Sequence, residues 1–212
     1  AARVFDTLLD EQTVLGTALG AALAGFVPIP EIQYLAYLHN AEDQLRGEAA
    51  SLEFFSDSQF SNGMVVRIAG LAYQRGFGGH FHNDNAVAVL RDVPGIVVAV
   101  PSSAAEAAAL LRTCVALAVE EGRVCVFLEP IALYHRVDLD DGDGELRCAD
   151  DASAEFATTA IHSDGDHLAI VTFGNGVVMS RRAASRLRER GIGATIVDLR
   201  WIVPLPVDDL LR

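Results

Sequence analysis

Asp10 and Glu11 are adjacent acids at the entrance to an apolar run of small residues, LGTALGAALAGF. A carboxylate at the mouth of an apolar helix is poorly solvated, which favours its protonated form, the state a proton-relaying acid needs near neutral pH. The plainer reading is that Asp10 caps the helix and Glu11 sits in its first turn. His80 and His82 stand two residues apart in GLAYQRGFGGHFHNDN, Gly70 to Asn85, a stretch with four glycines. Loop histidines beside flexible glycines suit proton transfer to a ligand; equally, they are simply exposed. As a metal pair they lack carboxylate or cysteine partners at a suitable spacing, so no metal site is assigned. His39, His135, His162 and His167 have no constellation around them and read as surface or capping residues.

The elements that must hold these groups alternate in type. Val4–Phe5 reads as the end of a strand, so the fold is expected to begin before residue 1. A helix is expected from Glu11 to Gly25, a strand from Val27 to Gln33, and a second helix from Leu35 to Phe55. MVVRIA from Met64, IVVAV from Ile96 and Val124 to Leu128 are apolar runs of the kind found in buried parallel strands. Ser103 to Glu106 is a capping-box signature opening an alanine-rich helix to about Glu121. The alternation implies an α/β fold with a largely parallel sheet covered on both faces. After Phe156 a second α/β unit follows: a strand at Leu168–Phe173, a helix at Val177–Arg190 and a strand at Ala194–Leu199. It has few elements with which to bury its own sheet, and the chain reads as cut at both ends.

Composition bounds the function. Of 212 residues, 51% are apolar and 21% charged, which predicts a substantial core and excludes global disorder. The formal charge of -13 argues against nucleic-acid or anionic-membrane partners. Between His135 and Phe156 eight acids face two arginines, and the stretch reads as a solvated acidic linker. Leu15 to Pro30 falls short of the ~20 apolar residues of a membrane span. Cys114, Cys125 and Cys148 lack a metal spacing and fit buried thiols in a reducing, cytoplasmic setting.

As an ordered set, VFDTLLDE, LGAALAGFVPIPEIQYLAY, DQLRGEAA, VVRIAG, GGHFHND, VPGIVVAVPSS, VFLEPIALY and VDLRWIVPLP carry a likeness over nearly the whole chain. The chain resembles the beta chain of the thiamine diphosphate-dependent dehydrogenase component of 2-oxoacid dehydrogenase complexes, of branched-chain or pyruvate type. The resemblance implies a parallel-sheet pyrimidine-binding domain over 1–134, a linker over 135–156, and the start of a transketolase C-terminal-like domain over 157–212. It implies that Glu11 hydrogen-bonds the aminopyrimidine ring nitrogen of the cofactor. Tyr37 would pack on that ring, and Leu9 and Gln33 would touch it. His82, with His80 beside it, would handle protons or substrate at the reacting carbon. The acyl group formed on decarboxylation would pass to lipoamide on a partner acyltransferase. The implied partners are an alpha-type chain or domain carrying the diphosphate and magnesium site, a second beta section, and that lipoyl-bearing acyltransferase.

The sequence also departs from the family's pattern. Leu8 stands where the family usually has proline, Asp10 where it has serine, and the loop reads HND in place of HSQ. The turn ALAVEEGRV lacks the aspartate and asparagine of a structural potassium site, so no potassium is assigned. Gly142-Asp143-Gly144 has the form of a magnesium-diphosphate signature but lies in the acidic linker, with its next asparagine, Asn175, in another unit. It is rejected as a cofactor site. Gly174-Asn175-Gly176 is a strand-to-helix turn. Other readings that stay open are another transketolase-superfamily enzyme, such as a synthase or ketolase, and a non-catalytic scaffold.

Overall fold

A computed structural model describes residues 3–71, 79, 81–136 and 152–212. Its elements run α1 (Glu11–Leu23), β1 (Glu31–Ile32), α2 (Leu35–Leu38), α3 (Leu52–Phe55), β2 (Met64–Gly70), α4 (Val87–Arg91), β3 (Ile96–Ala99), α5 (Ala104–Glu120) and β4 (Val124–Pro130). They continue with β5 (Ala160–Asp164), β6 (Leu168–Thr172), α6 (Asn175–Arg188), β7 (Ala194–Asp198), β8 (Trp201–Val203) and α7 (Val207–Leu210).

Five strands form one sheet in the order β1-β2-β4-β3-β8. Its first four strands are parallel, and β8 closes the edge antiparallel to β3. Side chains alternate between the two faces, as strand geometry requires. Val66, Ile68, Val98 and Val126 enter one core with Leu15, Ala18 and Ala22 of α1. Val65, Val97, Cys125 and Phe127 enter a second core with Leu110 and Cys114 of α5. Both faces are therefore dry, which is why these strands read as unbroken apolar runs. Ser103 caps α5 by accepting from the Glu106 amide at 3.2 Å. Cys114 and Cys125 are buried and unbridged, and the hydrogen bond with Cys125, then burial, holds the Cys114 thiol well above its usual range. Cys148 and most of the acidic stretch lie outside the described residues.

Three expectations are corrected. Val4–Phe5 is not strand: both side chains are largely exposed, and β1 is already the edge of the sheet. The strand expected over Val27 to Gln33 is hydrogen-bonded along its length, with Pro28 and Pro30 carbonyls accepting from Val65 and Arg67, but only Glu31–Ile32 is regular. The prolines have no amide with which to extend the ladder. The helix expected from Leu35 to Phe55 is broken into α2, a 3-10 turn at His39–Ala41, a π-helical segment at Gln44–Ala49, and α3. Side chains take carbonyls away from the helical ladder there: the Ser51 hydroxyl donates to Gly47 and the Asn62 amide to Ala49.

The second sheet, β5-β7-β6, leaves Ile161 and Val171 exposed. Gly174 begins α6 at φ +54, a tight turn that glycine enters without steric cost. The two units are joined by Trp201, which is fully buried, donates from Nε1 to the Glu155 carbonyl at 3.2 Å and meets the Phe156 ring edge-on. Ala154, just before, exchanges hydrogen bonds with Thr113 of α5, so the end of the expected linker is docked on the helix. Trp201→Ala should cost about 3–5 kcal/mol in urea denaturation, as loss of a fully buried large aromatic does.

Candidate functional site

In a parallel sheet the carboxyl ends of the strands and the amino ends of their connecting helices share one edge. Here β1 runs into α2, β2 runs into the glycine loop, and α1 presents its first turn.

At that edge the two adjacent acids do different things. Asp10 is the cap: its carboxylate accepts from the Gln12 amide at 3.3 Å and the Thr13 hydroxyl at 2.7 Å. Glu11 lies in the first turn, half-buried, and its Oε2 accepts from the Asn40 amide at 3.4 Å. Capping is thus assigned to one residue, and the other keeps its carboxylate turned toward the 3-10 turn. The apolar surroundings expected around Glu11 are not built by this chain's described residues alone.

Tyr37, one residue before the end of α2, holds its hydroxyl 2.6 Å from His82 Nε2. The Tyr34 and His82 rings lie 4.8 Å apart, Tyr37 and Phe81 5.8 Å apart, and Tyr34 and Tyr37 meet edge-on at 5.7 Å. An aromatic cluster therefore seats the histidine. Leu9 is 89% exposed and Gln33 is also exposed, so neither is gathered into it. His80 lies outside the described residues. Among the described residues no group of three or more His, Cys, Asp or Glu side chains could hold a metal ion.

His39 is the residue that sequence reasoning missed. Its Nδ1 is 2.5 Å from Glu42 and its Nε2 is 2.8 Å from Asp84 of the loop. Glu42, at a spacing of three, was within reach of a helical reading. Asp84 is 45 residues away and carries no local signal. A second network lies across the sheet, where Arg67 bonds Glu129 at 2.7 Å and Glu31 at 3.2 Å, and the Tyr134 hydroxyl donates to Glu129. The Glu129 carboxylate raises the Arg67 pKa, while burial and Glu129 raise that of Tyr134.

Residues 1–135 match the transketolase pyrimidine binding domain, and residues 157–212 match the transketolase C-terminal domain. The chain belongs to the transketolase pyrimidine binding domain family. It is 31% identical over 214 residues to the pyruvate dehydrogenase E1 component subunit beta of Bacillus subtilis (strain 168), covering 99% of this chain and 61% of that one. It is 31% identical over 211 residues to the 2-oxoisovalerate dehydrogenase subunit beta of the same organism, with the same coverage. The chain thus spans about three-fifths of the length of these curated relatives. A solved structure titled a split gene transketolase, inactive beta4 tetramer, shares the fold with a TM-score of 0.76 at 20% identity, covering 99% of this chain and 61% of that one. The transketolase-type pyrimidine-binding domain implied by the ordered motifs is the one the match shows.

If Asp10 alone caps α1, Asp10→Ala should destabilise the protein by about 1 kcal/mol. Glu11→Gln should stay within about 0.5 kcal/mol of the parent in the same denaturation assay, because Glu11 is not the cap and the amide oxygen can still accept from Asn40.

Proposed function

We propose that this chain supplies the aminopyrimidine half of a thiamine diphosphate site in the beta section of a 2-oxoacid dehydrogenase component. The observation that carries the proposal is the arrangement at the sheet edge. Glu11 and His82 come from different elements, and the turn bearing Tyr37, His39 and Asn40 engages both segments. The relatives named as pyruvate and 2-oxoisovalerate dehydrogenase beta subunits support the same reading.

The residues fit the group. A half-buried carboxylate not consumed as a cap, held by Asn40 three residues after Tyr37, suits a flat nitrogen-containing ring. Magnesium and the diphosphate would be held by an alpha-type chain or domain. Just before α1, Val4, Phe5, Leu8 and Leu9 are each more than 70% exposed. Exposed apolar side chains leading into the first turn of α1 support a site completed by a partner. Leu9 and Gln33 would then reach the cofactor.

Bound here, thiamine diphosphate would supply the carbanion chemistry that decarboxylation of a 2-oxo acid needs. In this chain Glu11 would hold a proton against the pyrimidine ring nitrogen. Asn40 would orient its Oε2, and Tyr37 would fix the ring's plane. Tyr37 also seats His82 through its hydroxyl, and the imidazole would give or take a proton at the substrate oxygen. The 2-oxo acid is pyruvate or a branched-chain acid, and the acyl acceptor is lipoamide on a lipoyl-bearing acyltransferase. The assembly pairs two alpha/beta units, in the cytoplasm.

In the full assembly, assayed for decarboxylation with an artificial electron acceptor, Glu11→Gln should lower kcat by about 10²–10⁴-fold, the usual weight of a positioned acid. A kcat near the parent's would refute the role of Glu11. Thiamine diphosphate titrated into the chain should bind only when the alpha partner is present. Binding to neither form would favour the scaffold reading instead.

A further inference from the structure

The proposed chemistry leaves His39 without a part, although it touches both the turn and the loop. Each of its ring nitrogens faces a carboxylate, Glu42 at 2.5 Å and Asp84 at 2.8 Å. A neutral imidazole donates from one nitrogen and an ionised carboxylate only accepts, so both contacts are hydrogen bonds only when His39 is an imidazolium. Asp84 is itself fixed. Its other oxygen accepts from the Ala86 amide at 2.8 Å, one residue before α4 begins. Asp84 thus ties the chain leaving His82 both to α4 and to the turn that carries Tyr37.

We propose that His39 is a positioning residue: its imidazolium, held between Glu42 and Asp84, clamps the 81–86 segment to the turn and so keeps His82 on the Tyr37 hydroxyl. The effect on catalysis rests on the role given to His82 above; the clamp itself does not. The other charged groups nearby have partners of their own. Glu11 is engaged by Asn40, and Asp43 lies 3.9 Å from Arg46.

The Glu42 hydrogen bond, then that from Asp84, raises the His39 pKa above its ordinary 6.5. A raised folded-state pKa gives a contribution that is complete below the unfolded value and is lost as pH climbs through the folded one. The clamp should therefore be closed in mild acid and loosen in mild alkali.

The test uses the full chain with its partner, and amide exchange corrected for intrinsic rates. Protection of the 81–86 amides should fall about five-fold between about pH 5.5 and about pH 8.5, the scale of losing charge assistance at a partly exposed pair. Asp84→Asn, which keeps an oxygen for the Ala86 amide, and His39→Gln should both show the lower protection at every pH. The same pH slope in both variants would overturn the clamp. In turnover, the ratio of parent to Asp84→Asn kcat should decline from about five to about one over that span, while KM stays within about two-fold. A ratio constant with pH would also overturn it. If the parent decarboxylates no 2-oxo acid, the functional reading fails, and the exchange slopes alone still decide the clamp.

Discussion

Strand direction governs what this chain can assemble. Because β1 and β2 run parallel, the segments that leave them emerge on one side of the sheet, where the first turn of α1 also opens. That places Tyr37, His39 and Asn40 after β1, His82 and Asp84 after β2, and Glu11 at the head of α1 along a single edge. Reversing either strand would separate the acid from the histidine by the length of the sheet. The two dry faces that fix the strand register thereby also fix the site. The valines and isoleucines of β2, β3 and β4 hold Glu11 and His82 together as effectively as any polar contact.

The broken helix after β1 has a function in this frame. A continuous helix from Leu35 would carry successive side chains around the axis. The change to a 3-10 turn at His39–Ala41 instead lets Tyr37 and His39 engage the loop while Asn40 engages Glu11. In the π-helical segment that follows, the Gly47 and Ala49 carbonyls accept from the Ser51 hydroxyl and the Asn62 amide, so they are not left unpaired. Local geometry has been given up where the contacts diverge.

What could be read from the sequence follows from how local each signal is. MVVRIA and IVVAV announce themselves because a strand buried on both faces must be apolar at every position. Ser103 announces α5 because a cap acts within three residues. Glu11, Tyr37 and His82 were singled out through a family's ordered motifs, and the plainer reading of the bare residues, Asp10 as cap with Glu11 in the first turn, is what the helix end shows. The His39–Asp84 contact spans 45 residues and is set by loop placement, so no local pattern encodes it. The same holds for β8, which adds antiparallel to β3 from the second unit, and for Ala154, which docks on Thr113 from the end of a stretch that composition marks as solvated. Val4–Phe5 failed for the converse reason. Its residues suit a strand, but a strand also needs a neighbour.

The central claim is that Glu11 and Tyr37 form one half of a cofactor site closed by another chain or domain. The most direct measurement is a crystal structure of the chain assembled with its alpha partner and thiamine diphosphate. The account predicts the Glu11 carboxylate within hydrogen-bonding distance of the pyrimidine ring nitrogen, the Tyr37 ring against the pyrimidine plane, and the exposed Leu8 and Leu9 side chains covered. A cofactor bound elsewhere, with Glu11 turned to solvent, would contradict it.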